Sequence, residues 1–261
     1  MLPRCLSPVL VVVFLFTVPA AAAPDIRQAA DKLRYDNCLT LAGRDPAAAL
    51  GVARTWIGEK GGSPAEHCGA VALVGLKRYA EAADKLDALG RAPGMGALRS
   101  SLFDQAGNAW MLNGDIDKAV SSFEAGLALT ASDPDLYGDL ARAHAMQSSW
   151  SEVESDLNAA LAISPRRADL LVLRASARHA QHHITEARAD VQQALALEPK
   201  NAEALLERGA IERDTGDFSH AQADFRAALA SRPSAETSDA AKRNLAALDQ
   251  AARDAALKKK K

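Results

Sequence analysis

Four stretches of this chain are variations on one theme: GDIDKAVSSFEAGLALTA from Gly114, SSWSEVESDLNAALAISP from Ser148, HHITEARADVQQALALEP from His182 and GDFSHAQADFRAALASRP from Gly216. Successive starts differ by 34 residues. A fixed period of this size marks a structural unit that cannot bury its apolar face alone and must stack on its neighbours. Residues 134–167 show what the unit contains. Leu136, Tyr137, Leu140, Ala141 and His144 recur at helical spacing, and Gln147-Ser148-Ser149 breaks the run. Trp150, Val153, Leu157, Ala160 and Leu161 then form a second stripe, which Pro165 ends. Each unit is therefore expected to be a pair of short helices, too short to be stable without packing. The fold class is all-α.

The residues at fixed positions of the unit refine this. Small residues sit midway along the first helices at Gly107, Ala141, Ala175 and Gly209. A bulky residue opens the second helices at Ile116, Trp150, Ile184 and Phe218, followed three residues on by Ala119, Val153, Ala187 and Ala221. Phe123, Leu157, Val191 and Phe225 come next, then Gly126, Ala160, Ala194 and Ala228, with Pro165, Pro199 and Pro233 closing three of the units. Residues 100–235 thus resemble a tetratricopeptide repeat (TPR) array of four units, 100–133, 134–167, 168–201 and 202–235. The departures are Ala131 in place of proline, Val153 in place of alanine, and His182-His183 in place of the Gly-Asp turn at Gly114 and Gly216. The resemblance implies a right-handed α-solenoid of stacked antiparallel helical hairpins.

The flanks are less regular. Residues 23–62 are expected to hold a divergent helical hairpin, with Asp45 capping a helix that starts at Pro46. Residues 63–99 form a degenerate hairpin followed by the linker Arg91-Ala92-Pro93-Gly94-Met95-Gly96, which is longer than later junctions and is expected to be a flexible joint. Residues 236–257 are expected to form a polar, alanine-rich capping helix, and Lys258, Lys259, Lys260 and Lys261 a basic tail. The tail is read as solvated, with weak contact to an anionic membrane surface as the alternative.

A short basic start, an apolar run from Val9 to Val18 and a small-x-small pattern at Ala20 and Ala22 read as a secretory signal peptide over 1–22. The expected location is periplasmic or secreted, after cleavage near Ala22; an uncleaved inner-membrane anchor is the alternative. Cleavage removes Cys5 and leaves Cys38 and Cys68, a disulfide candidate in an oxidising compartment, or else two buried thiols.

Net charge is −2, so no global field favours nucleic acid. There is no GxSxG, HExxH or P-loop pattern, and no cofactor, small-molecule substrate or catalytic set is expected. His179, His182 and His183 cluster in sequence. A metal-binding protein or enzyme built on them is a weaker reading, because His182 and His183 fall where the helix breaks. Asp and Glu elsewhere, including Glu207 beside Arg213, read as exposed charges. TPR arrays commonly bind a peptide or protein partner along a groove lined by the first helices. Carried over by resemblance, the groove residues are Asp104, Asn108, Met111, Asp135, Arg142, Met146, Ser176, His179, Glu203 and Arg213. Their mixed charge argues against clamping of a terminal carboxylate. The expected role is a non-enzymatic scaffold or adaptor.

Overall fold

The computed structural model describes residues 26–258. The signal segment at 1–22, Cys5 and Lys259–Lys261 lie outside the described residues, as do the side chains of residues 26–29 and 255–258. The described chain is an all-α solenoid of thirteen helices: α1 (Ile26–Arg44), α2 (Pro46–Gly58), α3 (Gly62–Gly75), α4 (Tyr79–Arg91), α5 (Leu98–Asn113), α6 (Ile116–Leu127), α7 (Pro134–Met146), α8 (Trp150–Ile163), α9 (Ala168–Ala180), α10 (Ile184–Leu197), α11 (Ala202–Asp214), α12 (Phe218–Ala230) and α13 (Ala235–Lys258). There is no strand among the described residues. Helices α6, α8, α10 and α12 begin at 116, 150, 184 and 218, reproducing the 34-residue step.

Short side chains start several helices. Asp45 accepts from Ala48 N, Asp133 from Asp135 N and Leu136 N, Asn201 from Ala204 N, and Asp217 from His220 N. These caps satisfy amides that have no partner within their own helix. The turn inside each hairpin closes through one recurring bond. Asp115 N, Ser149 N, His183 N and Asp217 N donate to Trp110 O, His144 O, Arg178 O and Glu212 O at 3.0, 3.0, 2.8 and 2.8 Å. That closure needs a left-handed residue just before the donor. Gly114 and Gly216 supply it at φ 86° and 88°; Ser148 and His182 adopt it at 59° and 62°.

Packing follows the alternation of large and small residues. Phe123 and Phe225 are fully buried and lie over Gly107 and Gly209, where an added Cβ would come within 2.5 and 2.6 Å of the ring. Leu157, Val191, Val153, Ala160, Ala194 and Ala228 are sealed in the same layers. The alanines keep the helices close enough for the few large side chains to fill the space. The first helices also meet one another: α1 with α3, α5 with α7, α9 with α11 and α11 with α13 approach within 8 Å between Cα atoms. Second helices make no comparable approach, so the array closes toward the first-helix side.

The second helices carry buried or half-buried polar residues at a constant register. Asp156 meets His144 at 2.8 Å; Asp190 is held by Arg174 and Arg178; Asp224 accepts from Nε and Nη2 of Arg208 at 2.7 Å. Ser122 fills the same register and donates to Asp87, which also accepts from Trp110 Nε1. Every partner comes from a first helix or a preceding unit. No buried side-chain polar atom among the described residues lacks a hydrogen-bond partner.

Two expectations need correction. The linker at 91–96 is not a loose joint. It forms a 3₁₀ turn over Pro93–Met95, Arg99 Nε donates to Gly90 O at 2.7 Å, and Phe103 packs on Gly90 so tightly that an added Cβ would lie 3.0 Å from its ring. Glu207 is not an exposed charge either, since Ser176 and His179 hold it.

Candidate partner-binding face

The inner face is built from registers that also step by 34. Gln105, Asp139, Leu173 and Glu207 share one position; Ser101, Asp135, Asp169 and Glu203 share another; Asn108, Arg142 and Ser176 share a third. Each side chain projects from a first helix whose outer side is locked onto its hairpin mate. The face therefore presents rows of side chains on a stiff support.

The inner layer is not continuous. Neither α3 and α5 nor α7 and α9 approach each other as closely as the other first-helix neighbours do, and a cavity opens between α3 and α5. Mainly between α9 and α11, Arg142, Ser176 and Glu203 rim a cavity of about 390 Å³ floored by Val172, Leu173 and Leu206. Ser176 and His179 line the next one, of about 430 Å³. The first gap, of about 380 Å³, is lined by Tyr35, Pro64, His67, Leu98, Leu102 and Gln105. No residue of the expected groove lies in it.

Asp104 and Asn108 come together with Asp139. Asn108 Nδ2 donates to Asp104 Oδ1 at 3.1 Å and to Asp139 Oδ2 at 3.2 Å. Burial and the Asp139 carboxylate push the Asp104 carboxyl up to about 7, with Asp133 and Asp135 adding to the effect. Arg142 Nη1 reaches Asp139 at 2.6 Å, and Arg167 bridges Asp135 and Asp169 at 2.7 and 2.8 Å.

His179 is clamped between carboxylates, with Nδ1 2.8 Å from Glu207 and Nε2 3.3 Å from Asp214. The Glu207 bond, more than Asp214, raises its pKa above the ordinary histidine value, against the opposing effect of burial. Arg213 pairs with Asp214 at 2.7 Å and bonds Asn244 of the capping helix. Met111 packs on the core, Met146 is 57% exposed, and Asp135 and Glu203 are exposed. The ten residues are thus spread along the face, with Arg142, Ser176 and Glu203 the largest set around one cavity.

The three histidines do not converge. Helix α9 ends at Ala180, His182 sits in the left-handed turn, and His183 opens the next helix with its side chain exposed. No group of three or more metal-ligating side chains occurs among the described residues. Cys38 and Cys68 are joined as a disulfide that ties α1 to α3, with Cα atoms 6.1 Å apart. No helix of the described residues is long and apolar enough to cross a membrane.

Sequence reading missed Asp139, Asp169, Leu173 and Glu207, although each lies a whole number of repeat steps from a residue on the face. It also missed the first gap, whose signal was the long linker before α5.

No protein-family model matches the sequence, and no curated protein matches it. Solved structures do match. TTC0263, a thermophilic TPR protein of Thermus thermophilus, superposes with a TM-score of 0.55 at 21% identity over 69% of this chain and 95% of that one. MamA superposes with a TM-score of 0.55 at 16% identity over 62% of this chain and 93% of that one. At such identities the likeness is one of fold: an all-α helical-repeat solenoid of TPR type.

Proposed function

We propose that the chain is a non-enzymatic scaffold that binds a protein or peptide partner along its inner face. The observation that carries this reading is the row of side-chain-lined cavities on a stiff first-helix layer. A solenoid of this kind offers a long surface with no single enclosed pocket, which suits an extended segment or a helix. Polar residues of successive units border the same cavities, so one ligand would contact several repeats at once.

The scaffold acts in the periplasm or outside the cell, in envelope assembly, secretion or cell-wall maintenance. Support comes from the apolar run Val9–Val18, the small-x-small pattern at Ala20 and Ala22, and a Cys38–Cys68 bridge suited to an oxidising compartment. Retention of that run would make it a membrane-tethered scaffold instead. N-terminal sequencing separates the two: a start at Ala23 supports release, an intact Met1 tethering.

The binding role is tested by crosslinking the chain to its neighbours in its own envelope. Arg142→Glu, on an exposed side chain at a cavity rim, should reduce adduct yield at least several-fold while helicity is retained. Unchanged adducts would refute binding at this face.

A further inference from the structure

The gap between α3 and α5 differs from the others in its chemistry. Pro64, Met95, Leu98 and Leu102 make its walls apolar, and Leu98 stands 62% exposed at its mouth. Its Tyr35, His67 and Gln105 side chains are already engaged with one another. Tyr35 OH and His67 Nδ1 are 2.6 Å apart, and His67 Nε2 is 3.0 Å from Gln105 Oε1. That chain of bonds ties α1, α3 and α5 together, and the Cys38–Cys68 bridge braces two of the three helices. The cavity is therefore a braced socket of about 380 Å³ that offers mainly contact area, enough for one large apolar side chain.

The neighbouring surface sets the charge of whatever enters. On α5, Gln105 faces the socket, while Asp104 points toward α7 and Asp139. Asp133 and Asp135 lie near enough to add to the negative charge at Asp104. Arg142 reaches one oxygen of Asp139, and Arg167 takes Asp135. Among the described residues, Asn108 is the neutral donor to the Asp104 carboxyl, which sits partly desolvated against Asp139. A cation brought to this point relieves a like-charge contact between carboxylates, whereas an anion aggravates it.

We propose that the α3/α5 socket and the adjacent Asp104–Asp139 pair together dock a partner segment carrying a bulky apolar residue with an arginine or lysine a few residues away. This rests on the reading of the inner face as a binding surface and names the chemistry of its partner. Neighbouring helix axes lie about 8–10 Å apart. An extended segment advances about 3.3 Å per residue, which places the cation roughly three residues from the apolar anchor.

The test is selection of phage-displayed random 12-residue peptides on the full chain, followed by anisotropy titration of the labelled winners. Selected sequences are expected to pair Phe, Trp, Leu or Met with Arg or Lys within about four residues. Replacing that cation by Glu in the peptide should weaken binding at least tenfold. Asp104→Asn combined with Asp139→Asn should erase the difference between cationic and anionic peptides yet preserve dependence on the apolar residue. Leu98→Asp, at an exposed position, should weaken the parent peptide at least tenfold, with helicity checked by circular dichroism. Selection of acidic or charge-indifferent peptides, or indifference to the two Asn changes, would overturn the proposal. Winners displaced by Arg142→Glu but not by Leu98→Asp would overturn it while leaving the binding face intact. Failure to select any sequence also overturns it; the binding face itself falls only if Arg142→Glu leaves envelope crosslinking unchanged.

Discussion

Single residues decide how closely the helices approach. Gly209 is the sharpest case. On an open helix surface, Gly→Ala gains about 1 kcal/mol in helix propensity. Here the new methyl would sit 2.6 Å from the Phe225 ring. Gly209→Ala is expected to lower stability by about 1–3 kcal/mol, measured by urea denaturation; a gain would mean that Phe225 can move aside. Ala187, fully buried, is expected to behave the same way on replacement by leucine. His182 is the converse. It holds a left-handed conformation at φ 62°, where its repeat counterparts Gly114 and Gly216 bear no steric penalty. His182→Gly should raise stability by about 1 kcal/mol. Two titrations belong to this scale. The folded pKa of His179 is raised, mainly by Glu207, so its contribution is full below the unfolded value near 6.5 and is lost as pH climbs through the folded pKa. Asp104 is an acid raised to about 7, so its ionisation increasingly opposes folding between pH about 4 and about 7. Both effects make the protein less stable at pH 8 than at pH 6. Glu207→Gln should remove the first part of that drop and Asp104→Asn the second, as read from melting temperature against pH.

At the scale of the helix, the sequence was legible where period and punctuation agree. The bulky-small alternation from Ile116 to Ala228 located the second helices, and Asp45 announced its cap, because these choices are local. What stayed hidden depends on partners distant in the chain. Asp190 sits mid-helix and reads as a solvated charge, yet its side chain is almost wholly buried against Arg174 and Arg178. Glu207 is disguised in the same way, since its partners lie one repeat earlier. The linker at 91–96 was visible as extra length, but not that Arg99 and Phe103 would pin it or that α3 and α5 would part. The N-terminal hairpin has the weakest repeat signal, and it holds the covalent brace. The Cys38–Cys68 bridge closes a separation of 30 residues. In the chain-entropy picture this is worth about 3–4 kcal/mol. Replacing both cysteines by serine should release α1 first, seen as faster amide exchange in residues 30–44 than in α5 to α12. Uniform loss of protection across the chain would show that the brace supports the entire array.

For the whole molecule, repetition converts modest local packing into a long surface. Each unit seals its neighbour, and α13 closes the last face by packing Ala241 and Leu248 on Phe225. The result is a solenoid whose stiff side bears the registers of Gln105, Asp139, Leu173 and Glu207, with a socket near one end and a wider cavity further along. Which registers face inward was readable from the 34-residue step once one member was placed. Which gaps open was not, because it depends on how far apart successive first helices stand. The most direct measurement is site-specific photocrosslinking in the native envelope, with the probe placed at Arg142 on the inner face or at exposed Arg226 on a second helix. A discrete adduct from position 142 and none from position 226 is expected. Adducts of equal yield from both positions, or from position 226 alone, would contradict a partner held along the first helices.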